Sequence, residues 1–285
     1  MKCDGSIAEN GSRVTADLIL SLFPGADLLG RGFEAEGFCV VRGPDLLWGQ
    51  DIRSFHSLPG VFEGVIAGTP CQDFSKARRS EPTGNGLAMI AEFSRVVTES
   101  EPVWWLLENV PSVPDVAIPG YTVQRFNVSA ADCGIPQRRL RRFQFGSVTG
   151  KPLAIPRGKA DGRFEACCLA GEGTRQSRRG FADFCRLQGL PAGFDLPGLS
   201  LETKYRLVGN GVPVAMAAMI ARAIKAQRLP GSPARLCLCE CGRPVTGAQL
   251  MATAACRKRM ERLRRDRLGA HKADGVTAAP VTVRG

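Results

Sequence analysis

Short apolar runs bounded by glycine or proline alternate with helical spacings along most of this chain, which predicts an α/β fold. Residues 18–23 read as a first strand, followed by a glycine-bearing turn and a helix that groups Leu29, Phe33 and Ala35 until Gly37 stops it. Residues 38–41 read as a second strand. Residues 61–67, with Val65-Ile66 at their centre, read as a buried strand that runs into a loop. Residues 87–97 have helical periodicity, and Pro102 separates them from an apolar run at 104–110 that ends in a carboxylate and an amide, Glu108 and Asn109. Two further strands are expected at 121–128 and 143–146, then an Ala/Met/Ile-rich helix over about 212–226.

Candidate chemistry sits where these elements end. Gly68-Thr69-Pro70-Cys71-Gln72 follows the 61–67 strand, and ligands in α/β folds bind at the carboxyl edge of the sheet. Proline stiffens that approach, and Gly68 lets a substrate come close. A strand, a glycine turn and a helix, as at 18–37, form the generic nucleotide-cradling unit, because the helix N-terminus offers amide donors. Arg138, Arg139, Arg141 and Arg142 make a cationic run. The period-2 spacing of Arg139 and Arg141 puts both on one side of an extended segment, where an anionic substrate would meet them.

Pro70-Cys71-Gln72, Glu108-Asn109-Val110, Gln137-Arg138-Arg139-Leu140-Arg141 and Gly209-Asn210-Gly211-Val212-Pro213, in this order, resemble the hallmarks of the cytosine-C5 DNA methyltransferase family. The resemblance spans residues 19–225. It implies a Rossmann-like, S-adenosylmethionine-dependent methyltransferase fold with a mixed, mostly parallel sheet, and the activity of a DNA (cytosine-5)-methyltransferase. Cys71 would be the nucleophile that attacks C6 of cytosine, and Glu108 would hold a proton for N3, burial favouring its protonated form. Arg139, with Arg141 beside it, would bind O2 and the phosphates. For the cofactor the resemblance implies Phe23 and Gly25 in the first turn, with Asp27 standing where the family has a second glycine. Asp45 is the nearest acid after the second strand, whose end carries Arg42 in place of the family's acidic residue. Asp51 would accept from the adenine amine, and Pro70, Asn210 and Val212 would complete the pocket. Lys76, Arg78 and Arg79 fall in the family's mobile DNA-closing loop. Residues 147–178 occupy the place of the target recognition domain but number only about thirty.

Composition adds a partner and a second unit. The net charge of +11 favours a polyanionic partner such as nucleic acid or an anionic membrane surface, and the resemblance implies double-stranded DNA. Its target base would have to flip out of the stack. No apolar run approaches the ~20 residues of a membrane span, and residues 1–17 carry no signal-type segment; a cytoplasmic or nucleoid-associated monomer is expected, bacterial or phage-encoded. Eleven cysteines, an odd number, argue against a closed disulfide framework. Beyond a linker at 229–233, Cys237, Cys239, Cys241 and Cys256 suggest a small zinc-binding module, with His271 as another candidate ligand and a basic helix at 257–268. The expected organisation is a catalytic, cofactor-binding region 1–146, a short recognition insert 147–178, a return to the core at 179–228 and a Cys-rich basic module at 229–285. Two alternatives stand beside the enzyme: a nucleic-acid-binding protein that has lost catalysis, favoured by the altered cofactor turn, and methylation of RNA cytosines, which a short insert permits.

Overall fold

A computed structural model describes residues 18–75, 81–176, 178–227, 235–236, 244–245 and 253–262. Residues 18–227 cluster in one compact unit. Its sheet has the strands β1 (Leu18–Leu22), β2 (Cys39–Arg42), β3 (Gly64–Gly68), β4 (Trp104–Asn109), β5 (Thr122–Ser129) and β6 (Leu140–Ser147), in the order β2-β1-β3-β4-β6-β5. The first four pair in parallel, and β6 runs antiparallel to both of its neighbours. The mixed, mostly parallel sheet is therefore as expected.

The apolar runs are continuous because both faces are covered. Ile19, Ile66 and Leu106 point into one cluster, beneath α1 (Leu28–Ala35) and α5 (Val214–Ala226). Their neighbours Leu20, Val65 and Trp105 point into the other, beneath α2 (Asn85–Ser100), whose Met89, Ile90, Phe93, Val96 and Val97 repeat at helical spacing. The late helix α5 packs on α1 beside the first strand. A Cβ on Gly32 would lie 2.3 Å from Ala217 Cβ, so only glycine allows that approach. A third cluster joins Leu28 to α3 (Phe181–Leu187) and α4 (Leu201–Asn210). The most apolar stretch, Leu201–Ala226, is broken at Gly211–Pro213 into helices of 10 and 13 residues, each shorter than a span needs.

One expectation changes. The strand expected at 143–146 begins at Leu140, because the arginine-bearing half pairs with β5 (Arg141 with Val128, Arg142 with Asn127) and Asp115 neutralises Arg142. Described residues of the 147–178 stretch pack on the core. Leu153 is buried in the core and exchanges hydrogen bonds with the Gln124 side chain, and Cys168 N–H donates to buried Gln137. Residues 1–17 and the basic loop with Lys76, Arg78 and Arg79 lie outside the described residues, as do Cys237, Cys239, Cys241 and His271. Cys256 is buried in a helix at 254–262, where the Thr253 hydroxyl contacts its Sγ at 3.1 Å. Among the described residues no three His, Cys, Asp or Glu side chains gather as a metal site.

Candidate active site

The carboxyl ends of β1, β3 and β4 open onto a cleft of about 280 Å³. Parallel register brings Gly68 opposite Glu108, so the Cys71 loop and the β4 carboxylate leave the sheet side by side. Cys71 caps the short 3-10 turn Gln72–Phe74, whose Phe74 N–H donates to the Cys71 carbonyl at 3.0 Å. Asn109 ties the loop down: its Nδ2 donates to the Thr69 carbonyl at 3.0 Å and to Thr69 Oγ1 at 2.9 Å, while Val110 N–H donates to its Oδ1. After the turn, Asp73 accepts from Thr83 N–H and Gly86 N–H, which fixes the far base of the basic loop.

Cys71, Glu108 and Arg141 line the cleft together. Arg141 Nε lies 3.1 Å from Glu108 Oε1, but no donor is aligned on that buried oxygen. Burial raises the Glu108 carboxyl above its usual range against the opposing pull of Arg141 and Arg139. Burial also raises the Cys71 thiol, Glu108 raises it further, and Arg141 acts the other way. Burial thus shifts both groups toward their protonated forms.

Arg139 does not take the place expected for it. It is buried outside the cleft lining, and its guanidinium donates to the carbonyls of Cys168, Gly209, Asn210 and Gly211. Gln188 adds donors to Val208 and Gly211. Both terminal nitrogens of Arg139 are engaged on main-chain carbonyls outside the cleft, which ties it to the turn that carries Asn210 and Val212, and Arg141 is the arginine that lines the cleft with Cys71 and Glu108.

All the expected cofactor residues line the cleft: Phe23, Gly25, Asp27, Asp45, Asp51, Pro70, Asn210 and Val212. The three acids among them already have protein partners. Gly25, at φ +54°, donates its N–H to Asp45 Oδ2 at 2.9 Å, and Asp45 Oδ1 takes Leu47 N–H. Asp45 thus shapes the first turn rather than standing free in the cleft. Asp51 caps the 3-10 turn Ile52–Ser54 and pairs with Arg53. Asp27 sits at φ +52° and caps α1 through Gly30 N–H; it also accepts from the Ser21 hydroxyl and pairs with Arg42 Nε at 2.8 Å. The glycine position filled by an acid and the strand end filled by a cation are therefore one feature. Their opposite charges are the sequence signal that could have linked them. Asn85 and Met89 of α2 and Leu207 of α4 also line the cleft, and no sequence motif marks them.

A parallel-rich sheet with a glycine turn and the Cys71 loop at one edge is a Rossmann-like methyltransferase fold. Residues 48–166 match the C-5 cytosine-specific DNA methylase family. The chain is 30% identical over 173 residues to the Type II methylase M.HgiDII of Herpetosiphon aurantiacus, covering 48% of this chain and 49% of that protein. To the Type II methyltransferase M.HgiDI of the same organism it is 34% identical over 163 residues, covering 46% and 52%. The chain thus spans about half the length of these curated relatives. Among solved structures, the Entamoeba histolytica methyltransferase EhMeth shares the fold with a TM-score of 0.56 at 13% identity, over 75% of this chain and 99% of that one.

Proposed function

We propose that this chain is a DNA (cytosine-5)-methyltransferase that uses S-adenosylmethionine and attaches its target base covalently to Cys71. What carries the reading is that one cleft is lined both by the cofactor turn and by Cys71, Glu108 and Arg141. The residues fit the cofactor: the turn brings main chain to the cleft wall, Leu46, Ile52 and Met89 offer apolar surface to a purine, and Asp51 stands at the same wall for an amino group. Bound there, S-adenosylmethionine supplies the methyl group.

The chain's own residues do the rest. Cys71 Sγ adds to C6 of the cytosine, which moves electron density onto C5 and N3. Glu108, whose protonated form burial favours, gives its proton to N3, and Arg141 donates to the base oxygen while restraining the carboxylate. After C5 is methylated, loss of its proton to a base or water expels the Cys71 thiolate. Asn109 holds the loop that carries the nucleophile, and Arg139 holds the turn at 209–211.

Double-stranded DNA is the proposed substrate, acted on by a monomer in the cytoplasm, as part of or apart from a restriction–modification system. Residues 228–285 carry 12 Lys and Arg against 4 Asp and Glu, so +8 of the net +11 lies in that segment. In the helix at 254–262, Arg257, Lys258 and Arg259 are exposed. Such charge suits phosphate contacts and supports DNA binding from outside the short 147–178 stretch. The cysteine spacing of 237–256 keeps zinc in this reading, checked by metal analysis of the purified full chain.

The test is transfer of labelled methyl from S-adenosylmethionine to duplex DNA, with bisulfite sequencing of the product and Cys71→Ser in parallel. Label on C5 that the variant fails to add is expected. Transfer to RNA but not DNA, or transfer by Cys71→Ser, overturns the proposal.

A further inference from the structure

Asp27 brings a carboxylate to the cofactor turn, and the way it is held bears on which ligand that turn prefers. It is 2% exposed, lines the cleft and sits at the N-terminus of α1. Oδ1 accepts from Ser21 Oγ at 2.9 Å and from Gly30 N–H at 3.1 Å. The helix-end donor that would otherwise meet a ligand's anionic group is therefore taken by the protein's own acid. Oδ2 has only the Arg42 Nε contact at 2.8 Å, with no aligned hydrogen bond.

The balancing cation is on the far side. Arg42 does not line the cleft, its side chain is 47% exposed, and it shares its guanidinium with Glu34. Solvent screens Arg42 more than it screens the enclosed carboxylate. The remaining charges at this end of the cleft are Asp45, Asp51 and Arg53, and Arg53 is paired to Asp51 at 3.2 Å. Glu108 and Arg141 oppose one another at the other end. Burial raises the Asp27 carboxyl while Arg42 and the Ser21 hydroxyl favour its ionised form, and with it ionised the cofactor end is walled by more negative than positive charge.

We infer that Asp27 makes this turn selective for the positively charged sulfonium of S-adenosylmethionine over its uncharged thioether product, S-adenosylhomocysteine. The inference rests on the methyltransferase reading above and adds to it a specificity residue that eases product exchange. The two ligands differ by the methyl group and one unit of positive charge, so a nearby enclosed carboxylate separates them, while hydrogen bonding and apolar contact treat them alike.

The test is titration calorimetry of the full chain with each compound, at low salt, for wild type and Asp27→Asn. Asparagine keeps the helix cap and tolerates the left-handed backbone, so the variant removes charge with little change of shape. Expected is a loss of about tenfold in affinity for S-adenosylmethionine, with affinity for S-adenosylhomocysteine within about twofold of wild type. Raising the salt should narrow the wild-type preference by less than it would for an exposed pair. Equal losses for both compounds make Asp27 a purely structural residue and overturn the inference, as do unchanged affinities. A folded wild type that binds neither compound overturns the methyltransferase reading itself, an outcome distinct from either of these.

Discussion

Arg141 approaches Glu108 to 3.1 Å without aligning a donor on its buried Oε1, and the two lie on either side of the charge balance at Cys71. Glu108 pushes the Cys71 thiol up and Arg141 pulls it down. Glu108→Gln should therefore separate thiol reactivity from catalysis. Removing the carboxylate lowers the Cys71 pKa, so its alkylation by iodoacetamide at pH 8 should speed up several-fold, as followed by mass spectrometry of the Cys71 peptide. Methyl transfer should fall by about 10²–10⁴, the usual worth of a positioned acid. An unchanged alkylation rate would show that Glu108 is already neutral beside the thiol.

In the free wild-type protein, burial is the largest influence on Cys71 and raises its pKa. The sign is simple: a raised thiol pKa means that little thiolate exists at neutral pH and that its fraction grows with each unit of pH. Alkylation of the Cys71 peptide should climb about tenfold per unit from pH 6 and level off only above the ~8.5 of an ordinary cysteine. A plateau reached near pH 7 would contradict the burial of the group.

What was legible in the chain depended on whether a residue's surroundings were local. The strands at 18–22 and 104–109 and the helix at 85–100 announce themselves through apolar runs or spacing, because their burial follows from their own pattern. The Cys71 and Glu108 pairing was legible from motifs at two strand ends. The start of β6 was not, because Arg141 and Arg142 have no intrinsic reason to extend and gain it from pairing with β5. Alternation put Arg139 and Arg141 on one side, yet could not say that carbonyls of the distant 209–211 turn would occupy Arg139. Asp27 and Arg42 each looked like a lone departure from a motif. Their ion pair joins the N-terminus of α1 to the end of β2, which lies beside β1 in the sheet.

Asn109 is expected to matter for order rather than for contact with the base. Asn109→Ala leaves the buried Thr69 carbonyl without its amide donor and releases the loop that positions Cys71. A loss of about 1–3 kcal/mol in stability by denaturant unfolding should follow. Methyl transfer should fall by about one to two decades, while S-adenosylmethionine affinity, assigned by the proposed function mainly to the turn at 23–28, should change little. Wild-type turnover in Asn109→Ala would show that the loop holds its shape without the tie.

The two arginines near Glu108 should part company under the same substitution. Arg139→Met removes the donors to the carbonyls of Gly209, Asn210 and Gly211, and methionine cannot replace them. Leaving those partly buried acceptors unpaired should cost about 3 kcal/mol of stability and weaken cofactor binding by tenfold or more, because Asn210 and Val212 lose their fixed turn. Arg141→Met breaks only the contact to Glu108 and one bond to its neighbour's carbonyl. It should leave the unfolding midpoint within about 1 kcal/mol of wild type and keep cofactor affinity, yet drop methyl transfer by about 10² or more. Cys71 alkylation should also slow in this variant, since the cation that lowers the thiol pKa is gone. Denaturant unfolding, calorimetry and labelled methyl transfer on the same two proteins read all of these effects. A stable Arg139→Met that binds cofactor but fails to methylate would return Arg139 to the reacting base and make Arg141 the lesser partner.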